Sequence, residues 1–272
     1  MLELAEDEQE VFTQKMVKRA LAGVTPSKKL TFYALVGAPG SGKSTMARKI
    51  KNAVLISTDY VLAEYAKDLG IDTRGGFSDN EVGLFATKVS NVIYKTALRN
   101  HMDIVYDTAA LHNTKAMLEH VQQFGYEPQI KIMLADEYQA AMNAVERKLD
   151  FDDAYTYGHS AAYFDEYNRQ AYPDGNPLAV QPQVSLNVSM AVEDFVQEAL
   201  DQNIPVEIYE FGKDKPSFRT GDDFDKFIDD LQLTPMEEHI DRCEKLYRRA
   251  DKQGNEQYMM SLLALKRKME RS

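Results

Sequence analysis

Cysteine occurs once in this sequence, at Cys243. A lone thiol closes no internal disulfide, which excludes a small secreted scaffold held by cross-links. Cys243 sits among charged residues in a helical pattern and reads as incidental. Tryptophan is absent, so tyrosine and phenylalanine carry the aromatic content; neither fact points to a function. No apolar run approaches the roughly 20 residues that a membrane-spanning helix needs, so no membrane partner is expected. An excess of basic charge is lacking too, because the formal net charge is −11. That opposes a broad nucleic-acid-binding surface, which relies on phosphate neutralisation, but leaves room for a local basic groove. The opening residues Met1-Leu2-Glu3-Leu4-Ala5-Glu6-Asp7-Glu8 are acidic and unlike a secretory signal. A soluble, cytoplasmic protein is the expectation. His101, His112, His120, His159 and His239 show no metal-ligand spacing, and no nucleophile elbow or Ser/His/Asp spacing occurs.

What is present is enough apolar residue, 44% of the chain, for a sizeable core. Short apolar runs at 30–36, 53–57, 103–107, 129–134 and 206–211 read as strands. Helical patterns fill 8–22, 45–50, 60–69, 81–99, 115–124, 138–149 and 190–202. This alternation predicts an α/β fold with a mostly parallel sheet flanked by helices. Residues 151–188 break the alternation with Tyr, Asp, Gly, Pro and Asn, and read as a lid. Beyond Thr234 as N-cap and Pro235 at the first helical position, helices over 236–252 and 256–271 form a hairpin around Gly254. The predicted organisation is an N-terminal helical extension (1–28), a core domain (29–233) and a C-terminal helical hairpin (234–272).

The most informative stretch is Gly37-Ala38-Pro39-Gly40-Ser41-Gly42-Lys43-Ser44, a complete G-x-x-x-x-G-K-[ST] phosphate loop between a predicted strand and a predicted helix. Its glycines free the backbone to curl, so that successive N–H groups point at one anion. The helix that follows adds its positive N-terminal end through Lys43, Ser44 and Thr45. Lys43 reaches the β- and γ-phosphates, and the Ser44 hydroxyl ligates Mg²⁺. ATP is the expected nucleotide, with GTP as the alternative. A nucleotide-gated switch protein is opposed by the lack of an Asn-Lys-x-Asp base-reading motif.

Three further positions suit phosphoryl transfer. Asp59 follows the predicted strand 53–57, at the edge where α/β sheets bind ligands. It can accept or orient an acceptor hydroxyl proton, or alternatively cap the next helix. Asp107, with Thr108 after it, ends the next strand like a Walker B carboxylate, able to hold Mg²⁺ or to bind acceptor hydroxyls. Arg147, near the end of helix 138–149, can stabilise a transferring phosphoryl group, or pair on the surface with Glu146 or Asp150. Arg169, Tyr163 and Tyr167 in the lid segment are weaker substrate contacts.

Together with Gly125-Tyr126-Glu127 ahead of a strand and Val145-Glu146-Arg147 near the end of a helix, the phosphate loop and Ser57-Thr58-Asp59 resemble the zeta-toxin family of P-loop kinases. The resemblance runs over about 30–211 and more weakly to the C-terminus. It implies ATP-dependent phosphorylation of a hydroxyl, with Lys43 on the phosphates, Asp59 as catalytic base and Arg147 stabilising the transition state. It also implies a UDP-linked amino-sugar acceptor and an antitoxin-like inhibitor protein as partner. The sequence departs from the family at one strand end. There the family usually has a glutamate, Gly-Thr and a substrate-binding arginine, whereas residues 105–113 read Val-Tyr-Asp-Thr-Ala-Ala-Leu-His-Asn. Arg169 is a poor positional match for the family's second lid arginine. Asp107-Thr108 with Leu111 and Asn113 is closer to the Asp-Thr-Asn-Leu pattern of polynucleotide 5′-hydroxyl kinases. The leading reading is therefore a P-loop kinase acting on a small-molecule or nucleotide-linked hydroxyl. The alternative is a kinase acting on a nucleic-acid hydroxyl.

Overall fold

Five of the short apolar runs become parallel strands because helices cover them on both faces, which leaves no solvent-facing side to alternate. The computed structural model describes residues 5–68, 80–108, 114–156, 199–201, 204–231 and 234–271. Its sheet holds β1 (Thr31–Val36), β2 (Ala53–Ile56), β3 (Asp103–Thr108), β4 (Glu127–Leu134), β5 (Val206–Glu210) and β6 (Phe218–Arg219). Their order is β2-β3-β1-β4-β5-β6, with β6 antiparallel and the rest parallel. β1 lies inside the sheet and is buried at every position but the half-buried Tyr33.

Around the sheet lie α1 (Glu6–Leu21), α2 (Lys43–Lys49), α3 (Thr58–Asp68), α4 (Asn80–Arg99), α5 (Thr114–Gln123), α6 (Glu137–Thr156) and α7 (Phe224–Asp229). Strand periodicity sends Phe32, Ala34 and Val36 to one face, where they pack with Phe12 and Met16 of α1, Val89 and Ile93 of α4, and Val121 of α5. Leu35 points the other way, to Met46, Val105, Met133 and Tyr209. α1 is thus an integral part of the main core.

A second core forms where α8 (Met236–Lys252) and α9 (Glu256–Met269) meet α6. Tyr138, Met142, Val145 and Leu149 of α6 pack there against Cys243, Leu246, Tyr258 and Leu262. The joint between α8 and α9 is Gly254 at φ 66°, followed by Asn255, whose side chain accepts from Tyr258 N–H at 3.2 Å.

The structure corrects several expectations. α6 runs on to Thr156, so residues 151–156 are helical, and Arg147 lies within the helix instead of at its end. No Gly or Pro occurs between 137 and 156 to stop it. The remainder of the expected lid, 157–188, lies outside the described residues. The N-cap of α8 is Pro235 and makes no side-chain cap bond, so Thr234 does not fill that role. Cys243 is a core residue, 1% exposed, whose Sγ donates to the Leu262 carbonyl at 3.3 Å. β6 and α7 were not anticipated; Phe218, Phe224 and Phe227 hold them together through ring contacts of 5.4 to 6.1 Å.

Candidate active site

The chain leaves β1 at Val36, curls through the phosphate loop and enters α2 at Lys43. Gly42 takes the cap position at φ 100°, a left-handed conformation that is strained for any residue with a side chain. Gly40 answers a different demand. A Cβ there would sit 2.3 Å from the Ala140 carbonyl and 3.0 Å from the Ala144 nitrogen, so the loop can lie on α6 only with glycine at this point. A Cβ on Gly37 would likewise meet Ser41 Oγ at 2.5 Å and the Met133 carbonyl at 2.6 Å. Ala38 packs with Ala135 and Ala140.

Inside the loop, Ser41 N–H donates to the Ala38 carbonyl at 3.0 Å. Lys43 Nζ donates to the carbonyls of Gly37 and Ala38 at 2.7 and 3.1 Å, which places its charge over the loop. Pro39 is half-buried, Thr45 is exposed, and Ser44 lies in the first turn of α2. Ser41 is 3% exposed, and its Oγ has no hydrogen-bond partner among the described residues. A glycine-lined cradle, a buried hydroxyl of this kind and a helix N-terminus fit a phosphate group.

The strand order sets the carboxylates beside this cradle. β3 is the immediate neighbour of β1, in a register that pairs Leu35 with Asp107 and Val36 with Thr108. Asp107, half-buried, therefore stands level with the end of β1, roughly 4.8 Å away across the sheet. β2 follows on the far side of β3, and Asp59 is exposed in the first turn of α3 just beyond it. Tyr60 N–H donates to Ser57 Oγ at 3.4 Å, so Ser57 supplies the local cap that was the alternative role for Asp59. The Glu146 carboxylate pairs with Arg242. Position 147 falls one turn beyond Asn143 and Ala144 in α6. Arg169, Tyr163, Tyr167, Leu111 and Asn113 lie outside the described residues.

Electrostatic shifts near the site are few. Burial pushes the phenol of Tyr106, the neighbour of Asp107, above its usual range. Burial, helped by the Tyr106 phenol, pushes Tyr94 up to about 12. Lys49 at the end of α2 pairs with Asp214 in the β5–β6 connection and holds that carboxyl below its ordinary value.

Three residues near the loop went unnoticed in the sequence. Phe211, just past β5, is 43% exposed, and its ring lies 3.8 Å from where a Cβ on Gly42 would stand. Asn143 and Arg242 form a bonded chain behind Gly40. None belongs to a motif, and only the tertiary structure brings them to the loop.

Residues 33–163 match a family described as an AAA domain. Among solved structures, a chain from the PezAT chromosomal toxin–antitoxin system of the human pathogen Streptococcus pneumoniae superposes with a TM-score of 0.61 at 12% identity, covering 93% of this chain and 98% of that one. The likeness is one of fold, a mostly parallel sheet flanked by helices with the phosphate loop after β1. A chain of the AvrRxo1-ORF1:-ORF2 complex with ATP superposes with a TM-score of 0.55 at 14% identity, over 96% of this chain and 86% of that one. No curated protein matches the sequence. The AAA-domain match stops at residue 163, ahead of α8 and α9.

Proposed function

We propose that the protein is an ATP-dependent kinase that transfers the γ-phosphate to a hydroxyl of a small-molecule or nucleotide-linked acceptor. The observation that carries this reading is the alignment of the phosphate loop, Asp107 and Asp59 at the ends of adjacent strands of one sheet. Residues 37–45 hold the phosphates, with Lys43 as the principal cation. Asp59 receives or orients the acceptor hydroxyl's proton. Asp107 and Thr108 lie between the nucleotide and the acceptor, and Arg147 of α6 stabilises charge on the moving group. Ser44 and Asp107 supply a hydroxyl and a carboxylate, donors that suit Mg²⁺; when bound, the ion neutralises phosphate charge. A substrate-side role for Arg169 belongs to the same reading.

The family resemblance favours a UDP-linked amino-sugar acceptor and an antitoxin-like inhibitor partner, in keeping with the toxin–antitoxin system of the superposed PezAT chain. The Asp107-Thr108 pattern favours a 5′-hydroxyl on nucleic acid, against which the net charge of −11 weighs. Purified protein, γ-labelled ATP and a panel of amino-sugar nucleotides, nucleosides and 5′-hydroxyl oligonucleotides test both. Label should pass to one class of acceptor, and Lys43→Ala should abolish the transfer. Asp59→Asn should lower turnover by roughly a hundredfold while ATP affinity stays nearly constant. A protein that neither binds ATP nor labels any acceptor would overturn the proposal. Acceptor binding that weakens steeply with salt would select the nucleic-acid reading.

A further inference from the structure

The phosphate loop is held from behind by a chain of side chains that ends in the C-terminal hairpin. Asn143 Nδ2 on α6 donates to the Gly40 carbonyl at 2.9 Å. The same amide's Oδ1 accepts from Arg242 Nη2 on α8 at 2.6 Å. Arg242 also pairs with Glu146, one turn along α6, and its side chain is 29% exposed. A second contact fixes the helix that carries Asn143. Asp136 Oδ1 accepts from Gln139 N–H at 2.8 Å, capping α6, and lies 3.1 Å from His239 Nε2 of α8.

The chemistry of the chain is directional. A guanidinium has five donors and no acceptor. Placed against Asn143, it selects the amide orientation in which oxygen faces Arg242 and nitrogen faces the loop. That orientation gives the Gly40 carbonyl a donor and turns it toward α6, away from the mouth of the cradle. Without the guanidinium the amide can rotate and set its oxygen against another oxygen. An open groove of about 620 Å³, lined by Gln139, Glu237, Glu238, Asp241 and Arg242 among others, gives solvent access to this link from the side of α8.

We propose that Arg242, acting through Asn143, is a positioning residue for the phosphate loop, so that the C-terminal hairpin is a working part of the nucleotide site. The proposal rests on the kinase reading for its consequence but not for its geometry.

Hydrogen exchange over residues 37–44 of the unliganded full chain is the direct measurement, with ATP affinity by calorimetry beside it. Asn143→Ala and Arg242→Ala should each speed loop exchange and weaken ATP binding by about tenfold, the scale of one lost hydrogen bond to a charged or buried group. The double variant should be no worse than Asn143→Ala alone, because both changes break one link. Arg242→Lys, which keeps a cationic donor, should recover part of the loss, while exchange in α8 and α9 stays as in the wild type. Asn143→Asp removes the donor to Gly40 while keeping an acceptor for Arg242, and should free the loop even if Arg242→Ala unfolds α8. Wild-type loop exchange in Asn143→Asp, or additive effects in the double variant, would overturn the positioning role. A wild-type protein that fails to bind ATP would overturn the kinase reading instead, and the exchange result would still decide the role of Arg242.

Discussion

Along one stripe of α6 the residues against the phosphate loop are Ala140, Asn143 and Ala144; along another, Tyr138, Met142, Val145 and Leu149 meet the hairpin. The partners explain the difference. On the first stripe the partner is backbone, approaching so closely that even a methyl group on Gly40 collides. Small residues there permit precision and contribute little burial. On the second stripe the partners are helices, and large side chains fill the space between them. One helix therefore serves the chemistry on one side and the stability of the fold on the other. The two sides should fail in different ways, the first through crowding and the second through cavities.

The largest effect is expected on the hairpin side. Leu262 is fully buried in the second core. Leu262→Ala should cost about 2–5 kcal/mol of unfolding free energy, read from urea denaturation. ATP affinity of the folded protein should stay within about threefold of wild type, well below one tenfold step of 1.4 kcal/mol. An equal collapse of affinity would show that the two stripes cannot be separated. On the loop side, Gly40→Ala adds a methyl group against backbone at φ 87°. Backbone strain of this kind is worth roughly 1–3 kcal/mol, so ATP affinity should fall by up to about a hundredfold, and the loss of unfolding free energy should not exceed that strain. Unchanged affinity would mean that α6 yields and that its small residues are not required.

The smallest effect sharpens the comparison through pH. Burial pushes the Cys243 thiol up from 9.0 to about 11. The fold disfavours the thiolate, so the thiol's contribution to stability is complete below about pH 9 and is lost as pH rises toward about 11. Tyr60, Tyr94 and Tyr126, each pushed to about 12 mainly by burial, add a similar loss at higher pH. Cys243→Ala should therefore be less sensitive than the wild type between pH 8 and pH 10.5. Identical urea midpoints for the two proteins at both pH values would show that the thiol is not buried against ionisation.

The sheet and the phosphate loop were legible in the sequence because their signals are local. Apolar runs such as Thr31–Val36, and a glycine pattern leading into Lys43, carry their own meaning over a few residues. The positions of Asp59 and Asp107 in the fold were legible for the same reason, one at the end of a recognisable strand and the other just beyond one. The extent of α6 is hidden because Asp152 and Asp153 interrupt the apolar period, though nothing in residues 151–156 breaks a helix. β6 was too short, at two residues, to leave a pattern. The link from Arg242 to Asn143 spans 99 residues and uses two ordinary polar side chains. No spacing rule reaches that far, and only the docking of the hairpin on α6 creates the pair.

That link also has an order in time. A chain emerges from the ribosome N-terminus first, and its early elements can fold while later ones are still being made. The phosphate loop and α6 are translated well ahead of α8, so the bond between Asn143 and Arg242 forms only after the hairpin has been synthesised. A nascent chain halted after α6 carries the loop on its helix with no guanidinium to orient the amide behind it. On the positioning role proposed for Arg242, the loop gains its support from behind only once the hairpin has been made.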